Sequence, residues 1–429
     1  MKLPQMLNHY TKLPKSIYIL FFARMVNSMG AFVYPFLTIY LTKTLSLDEG
    51  EAGFIVMLAI TAHLPGLIVG GRLADWLGRK RILLLFQGLA AICLIPCAFL
   101  NNSFIIPRFL ILSAFFLGAA QPASTAMTAD LTNPSNRKAA FSLLYLGNNI
   151  GFAVGPLIAG FLYNNYLMWI FLGDAATTLA SLTLVYLFIQ ETLPSKEKIE
   201  ESYQLGNNYE KAERGSLWQV LRKRPRLLLF TLISLIYSFV YAQTTFSIPI
   251  QVIELFGDKG PKMFGVIMTT NALVVSCLTI IIISLTHKIK PVLNVALAGL
   301  LYAVGFGVIF FITGLAWLLF STIIWSIGEI LVTTNTNVYI ANHTPMSHRG
   351  RFNAVIPVIM GAGFALGPLI SGDYIRKYGI NNIWPAICFL SIVAAVLMYF
   401  LYFSEKKRNS FNLSTLEVFS SQFLMNFLF

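Results

Sequence analysis

The chain has 429 residues, of which 56% are hydrophobic and only 11% charged, and its mean hydropathy is +0.70. A water-soluble domain carries roughly a quarter of its residues as charges, so a soluble globule is excluded. The net charge of +13 could serve a nucleic acid, but its placement along the chain answers to a bilayer instead.

A spanning helix takes about 20 mostly apolar residues. Twelve such stretches occur, at 17–41, 51–70, 82–100, 104–129, 139–163, 167–190, 227–252, 263–286, 291–312, 315–341, 351–375 and 383–403. Lipid offers no partner to an open backbone group and barrel strands would alternate in polarity, so helices are expected. With the N-terminus inside, 24 Lys and Arg fall in inner segments and 5 in outer loops, while Arg24 and Arg108 lie within spans. The positive-inside rule then puts both termini on the cytoplasmic side of a plasma membrane, with lipid and no nucleic acid as partner. Span 1 is too long for a signal peptide and lacks a small-residue cleavage site, so it is expected to stay as an anchor. Cys93, Cys97, Cys277 and Cys388 all fall within spans and read as small apolar packing residues.

In chain order, span 1 carries Arg24, Asn27, Tyr34 and Thr38 on or near one helical face. Arg24 is the only basic residue in the inner half of a span. Span 2 carries His63, an imidazole whose ordinary titration lies near neutrality. The run 71–80 at its end reads GRLADWLGRK. It is similar to the loop 2–3 signature of the major facilitator superfamily, G-x-L-A-D-x-x-G-R-K. Gly71 and Gly78 are expected to permit close packing and turning. The resemblance implies a conformational gate built from Gly71, Asp75, Gly78, Arg79 and Lys80. In it, Asp75 sits near the inner start of span 11 and is held by the helix dipole. The resemblance also implies that the loop's arginine pairs with an acid at the end of span 4, the position of Asp130. In the second half His287 stands 212 residues after Asp75, so the matching latch is expected to be weak or absent.

Span 4 offers Ser113, Gln121, Thr125 and Thr128, span 7 Ser234, Tyr237, Tyr241 and Thr244, and span 10 Thr322, Glu329, Thr333 and Thr336. Polar stripes on spans 1, 4, 7 and 10 argue that these four face water or one another. Asn27, Tyr34, Gln121, Tyr237, Tyr241 and Thr333 are therefore expected to line a central cavity.

Span 5 contains GFAVGPLIAG at 151–160, and span 11 contains GFALGPLISG at 363–372, again 212 positions later. At the same offset Arg137 falls on Arg349. The chain thus reads as two copies of one unit, the pattern of transporters with repeated halves. Gly151 and Gly155, like Gly363 and Gly367, let a neighbouring helix approach closely, and Pro156 and Pro368 each remove a backbone hydrogen bond. Packing alone accounts for one such motif, and its duplication favours a functional one. The first copy resembles the span 5 signature of the superfamily's proton-coupled exporters, the twelve-helix drug:H+ antiporter branch, with Ala159 replacing a customary glycine. Ala114 stands where many such exporters place a proton-relay arginine, and Arg108 lies too near the outer face to take that role.

The bundles are expected at 1–190 and 227–403, joined by a polar linker at 191–226 that lies along the inner surface and followed by a tail at 404–429. The tail, rich in Phe and Leu, is expected to be an interfacial helix. Of the 18 acids only Glu329 falls near the middle of a span. An ionised carboxylate there is costly, so Glu329 should be held neutral or paired with a cation, Arg24 being the natural partner. It is the expected site for exchanging H+ against substrate. Asp174, towards the outer end of span 6, is a second and weaker acid because outer water is within reach. The five histidines form no acid-paired or metal-ligating set, so no metal, cofactor or catalytic constellation is expected, the energy source being the proton gradient.

The expectation is an all-α polytopic membrane protein, twelve transmembrane helices in two pseudo-symmetric six-helix bundles, working as a monomer by alternating access. Proton-coupled efflux of amphipathic or cationic organic compounds is the expected activity, with aromatic side chains holding cations. One defined metabolite, a lipid-linked flippase substrate, or a membrane enzyme or receptor are the alternatives.

Overall fold

The computed structural model describes residues 13–100, 104–132, 136–193, 225–343 and 349–425, and no strand occurs among them. Most of the expected linker, 194–224, lies outside the described residues. The first leg, α1, is Lys15–Met29, which resumes beyond a break as Leu37–Ile39 and a π-helical turn Tyr40–Thr44. Then follow α2 (Glu49–Leu77), α3 (Arg79–Cys97), α4 (Ile106–Asp130), α5 (Arg137–Leu162) and α6 (Leu167–Phe188). The seventh leg, α7, is again split, into Pro225–Ala242 and Ser247–Phe256. The remainder are α8 (Gly260–Thr286), α9 (Pro291–Gly307), α10 (Leu315–His343), α11 (Arg349–Tyr378) and α12 (Ile383–Met425). By length and apolarity ten runs qualify to cross a membrane. One of them, Pro225–Thr286, comprises both α7 and α8, and the interrupted α1 is a further leg, so twelve crossings result.

Two expectations change. Legs 1 and 7 are not continuous helices, and α12 runs on through the tail to Met425 instead of ending near residue 403.

The packing is two-fold. Within the first half α1 packs on α5 and α6, α2 on α4, and α3 on α4 and α6; the second half repeats this with α7 on α11 and α12, α8 on α10, and α9 on α10 and α12. Across the halves α2 lies along α11 and α5 along α8. The repeated decapeptide explains both levels. Its first glycine seats within a half: a methyl added at Gly151 would overlap the Met25 carbonyl on α1, and one at Gly363 the Leu235 carbonyl on α7. Its last glycine seats across the halves, Gly160 against the Pro261 carbonyl of α8 and Gly372 against the Glu49 carbonyl of α2. Its proline carbonyls serve the same seam, Pro156 against Gly265 and Pro368 against Gly53. Both pairs across the halves are related to their counterparts by the 212-residue offset, and within each half the repeated glycine meets the equivalent leg. With no Cβ in the way, backbones approach closely and gain dispersion contact, which matters where lipid is as apolar as the side chains.

Polar ties gather at one end of this seam, the face opposite the two chain termini. Lys43 Nζ meets Asp258 at 3.0 Å, Arg376 lies 3.8 Å from Asp48, and the Thr38 hydroxyl donates to the Thr245 carbonyl at 2.8 Å. Phe36 meets Phe264 edge-on at 5.2 Å, and Lys262 sits 4.3 Å above the Phe161 ring. This face is closed.

Gly265→Ala puts a methyl into the Pro156 carbonyl. Overpacking of this kind costs about 1–3 kcal/mol, and parting the helices relieves it. The variant should therefore show a lower thermal midpoint and reduced cross-linking of a Lys43→Cys/Asp258→Cys pair. Gly361→Ala, where no atom lies within 4 Å, should change neither. Equal cross-linking in all three backgrounds would refute the seam.

Candidate functional site

Below the closed face the halves separate around a cavity of about 850 Å3. It is lined by Tyr34, Ile60, His63 and Leu64 from α1 and α2, Leu117 from α4, and Val358 and Phe364 from α11. The wall is overwhelmingly apolar. Its hydroxyls are occupied: Tyr34 donates to the Leu110 carbonyl, Thr38 to Thr245, and Thr61 to the carbonyl of Met57 on its own helix. No charged side chain lines it.

Glu329 lies elsewhere, in a separate pocket of about 170 Å3 walled by Tyr145 of α5, Thr279 of α8, and Thr333 and Asn337 of α10. Its Oε2 accepts from Asn271 Nδ2 at 2.7 Å, and the same amide bonds the Ser326 hydroxyl at 2.9 Å. Behind it stands an aromatic ladder: Tyr241 stacks on Tyr302 at 6.4 Å, and Phe306 stacks on Trp325 at 5.8 Å. No cation lies within 4.0 Å of Glu329 among the described residues. The pocket therefore offers an ionised carboxylate one amide, the Tyr241 hydroxyl and whatever water it holds, all of them neutral, and a dry pocket would penalise the charge.

Arg24 is not its partner. Arg24 belongs to a third pocket, about 280 Å3, inside the first half with Asn27, Gln87, Gln121, Ser124 and Asn148. Its Nη2 donates to Ser124 Oγ at 3.0 Å, and Asn27 Oδ1 accepts from Gln87 at 2.9 Å. The expected Arg24–Glu329 pair fails because the two side chains turn into different bundles.

Three further expectations are corrected. Asp174 does not reach outer water: it is buried, and its Oδ2 accepts from the backbone N–H groups of Phe32 and Val33 at 3.3 and 3.2 Å. It thereby satisfies donors freed by the break in α1, where Gly30 passes close to Thr177 of α6. Tyr237 lines none of these three pockets. It is buried and donates to the Val295 carbonyl at 2.8 Å, locking α7 to α9. Close packing at the end of α2 belongs to Gly70, which rests on the Ala119 carbonyl, whereas the nearest atom to a methyl at Gly71 is 3.8 Å away. Asn27, Tyr34, Gln121 and Thr333 do face pockets, and Tyr241 faces the Glu329 carboxylate through the aromatic ladder.

At the terminal face the α2–α3 turn forms an ion cluster. Arg79 reaches Asp75 at 3.0 Å, Asp130 at 3.2 Å and the Ala74 carbonyl at 3.0 Å. Lys80 donates to the Tyr186 carbonyl at 2.8 Å. The Asp75 side chain is 76% exposed, turned to solvent with Arg79 as its ion-pair partner. The residue that organises the cluster is Glu191, which sequence reasoning left among the linker acids. Its carboxylate accepts N–H bonds from Arg79, Lys80 and Arg81 at 2.7–3.4 Å, capping α3, and from Thr192 and Leu193. Gly78, at φ +112°, makes room for it, since a methyl there would strike Glu191. Glu191 stands three residues after the end of α6 and next to Thr192, which bonds Asp130 at 3.4 Å; its place directly after span 6 was the available signal.

Partial burial pushes the Glu191 carboxyl up, but the N–H donors of Lys80, Thr192, Leu193 and Arg81 outweigh it and hold the group below its usual range. A depressed folded value stabilises above the unfolded one, about 4.3, and the gain disappears as pH falls through the folded value. Glu191→Gln should therefore melt below the parent at pH 7, and the two melting curves should converge as pH drops below about 4. A gap independent of pH would refute the cap's ionic character.

Residues 20–368 match the family described as Major Facilitator Superfamily. The chain is 24% identical over 377 residues to the uncharacterized MFS-type transporter YhjO of Bacillus subtilis, covering 88% of this chain and 90% of that one. It is 25% identical over 402 residues to a Na(+), Li(+), K(+)/H(+) antiporter of Planococcus maritimus, covering 88% and 92%. Among solved structures, a POT family transporter in complex with a thioalcohol-conjugated peptide superposes with a TM-score of 0.75 at 17% identity, covering 92% of this chain and 96% of that one. At that identity the likeness concerns the fold alone. Taken with the two-fold packing of twelve legs, the family match over most of the chain means that this multi-pass membrane protein belongs to the Major Facilitator Superfamily.

Proposed function

We propose that the protein is a proton-coupled secondary transporter that exports amphipathic organic compounds across the plasma membrane by alternating access. The terminal face, which carries most of the Lys and Arg, is then cytoplasmic, and the conformation described faces inward. The observation that carries the reading is Glu329, a carboxylate at mid-span with only neutral partners, the Asn271 amide and the Tyr241 hydroxyl, and no cation within 4.0 Å among the described residues. Tyr145 of the other half lines the same pocket, so closing the terminal side squeezes water from around the carboxylate. A proton on Glu329 removes the charge that opposes this drying. The proton load and the conformational equilibrium are thereby linked, which is what coupling requires.

The cavity's apolar wall and its volume of about 850 Å3 suit an amphipathic organic body. A cation is less well served, because the pocket that adjoins the cavity at Leu117 holds a positive charge, Arg24. The gate role proposed for Asp75, Arg79, Lys80 and Asp130 fits a latch released in this conformation, with Asp75 turned to solvent. His63, on the cavity wall, is a second candidate for proton coupling. The relative named as a monovalent cation/H+ antiporter supports a second reading, in which Glu329, Asn271 and Ser326 give oxygen ligands to a metal cation.

Proteoliposomes with an imposed pH gradient separate these readings. Glu329→Gln should abolish gradient-driven transport and leave substrate counterflow in part. Proton release should follow amphipathic organic compounds and not added Na+, Li+ or K+. Undiminished pumping by the variant would remove Glu329 from the mechanism, and release driven by metal cations alone would select the second reading.

A further inference from the structure

Proton coupling leaves the Arg24 pocket without a task. Among the described residues Arg24 makes one hydrogen bond, to Ser124, and no carboxylate lies within 4.0 Å. A guanidinium has five N–H donors in a planar fork and stays charged in proteins. The groups around it come from five helices: Asn27 from α1, Gln87 from α3, Gln121, Ser124 and Thr125 from α4, Asn148 from α5, and Ser181 from α6. All are neutral. A cation so placed, in an apolar bundle and with room of about 280 Å3 beside it, lacks its counter-charge.

The pocket also has a direction. Leu117 lines both it and the large apolar cavity, so the two spaces meet at that side chain. Along α1, Arg24 and Asn27 border the polar pocket, while Ala31 and Tyr34 border the apolar cavity. Five residues of helix carry the chain from Arg24 to Met29, about 8 Å at 1.5 Å per residue, and the break in α1 then leads to Ala31. The path therefore runs from a solvated rim at Gln121 and Thr125, past a fixed cation, into an uncharged space.

We propose that the Arg24 pocket binds the carboxylate of an amphipathic organic acid whose apolar body passes Leu117 into the cavity between α2 and α11. The fork of Arg24 takes the two carboxylate oxygens in parallel, and the surrounding amides complete the shell. This deepens the export reading by naming the substrate class. Binding is measured without any gradient, so it stands or falls separately from proton coupling.

The test uses the full-length protein in a neutral detergent and three probes with one apolar body: 4-phenylbutyrate, 4-phenylbutanamide and 4-phenylbutylamine. Chloride and inorganic phosphate are run alone. The acid should bind at least ten-fold more tightly than the amide or the amine, by calorimetry or thermal shift. Arg24→Gln should erase that preference and Arg24→Lys should restore part of it. Leu117→Trp, which fills the junction, should weaken the acid at least five-fold. Amide or amine binding equal to the acid's would overturn the proposal, as would a preference surviving in Arg24→Gln. Chloride or phosphate matching the acid, with no effect of Leu117→Trp, would overturn it in favour of an inorganic anion site. Should Arg24→Gln not fold, the head-group series and Leu117→Trp decide the matter unaided.

Discussion

Backbone carbonyls resting on glycines hold the two halves of this protein together. Gly53 takes Pro368, Gly265 takes Pro156, Gly160 takes Pro261 and Gly372 takes Glu49. Backbone carbonyls make the nearest contacts at these points, with the Phe246 ring beside Gly53 and Gly372, so the halves meet closely with little side-chain interlocking to undo when they part. Dispersion supplies the attraction, and lipid supplies no competing hydrophobic force. The same decapeptide, through Gly151 and Gly363, ties each of its helices to the broken first leg of its own half. One short motif thus fixes both the bundle and the seam, and its duplication generates the two-fold axis. Among the described residues the ion pairs that cross the seam lie at the rim of the closed face, where Lys43, Asp258, Arg376 and Asp48 remain within reach of water and can separate at modest cost.

On this symmetric frame the chemistry is asymmetric. Among the described residues the first half holds an unpaired cation within a span, Arg24, and the second an unpaired carboxylate, Glu329. They do not neutralise one another, and each opens into its own pocket. Two uncompensated charges at membrane depth are expensive, so each is a place where a proton or a ligand can shift the conformational balance. Leg 1 also differs in kind from leg 7: its break is secured by a carboxylate, Asp174, accepting from Phe32 and Val33, whereas the break in α7 is satisfied locally by turns at Gln243–Thr245.

Much of this was legible in the amino-acid order. Apolar length announced the twelve crossings, and the 212-residue repeat announced the axis, because both follow from constraints that lipid imposes on any helix. Polar stripes pointed to the pockets holding Asn27, Gln121 and Thr333. What escaped depends on which way a side chain turns. A spacing of residues cannot tell that Tyr237 aims into α9, or that Arg24 and Glu329 turn away from each other. Nor could it separate Gly70 from Gly71, neighbours of which only one rests on the backbone of α4. The breaks in α1 and α7 were hidden for a different reason: both segments are long and apolar enough overall to read as one span each, and what secures the first is an acid on α6, 141 residues from Val33. Glu191 was masked by the charged linker it begins.

The central claim is that the seam rocks, opening one face as it shuts the other. Distances between spin labels test it directly. One pair, at Tyr166 and Phe311, spans the halves at the closed face, and another, at Trp76 and Leu285, spans them at the terminal face; all four are exposed. On shifting pH across the protonation of the mid-span acid, the first distance should lengthen as the second shortens, with the populations exchanging in parallel. Two distances that stay fixed, or that change in the same sense, would contradict the account.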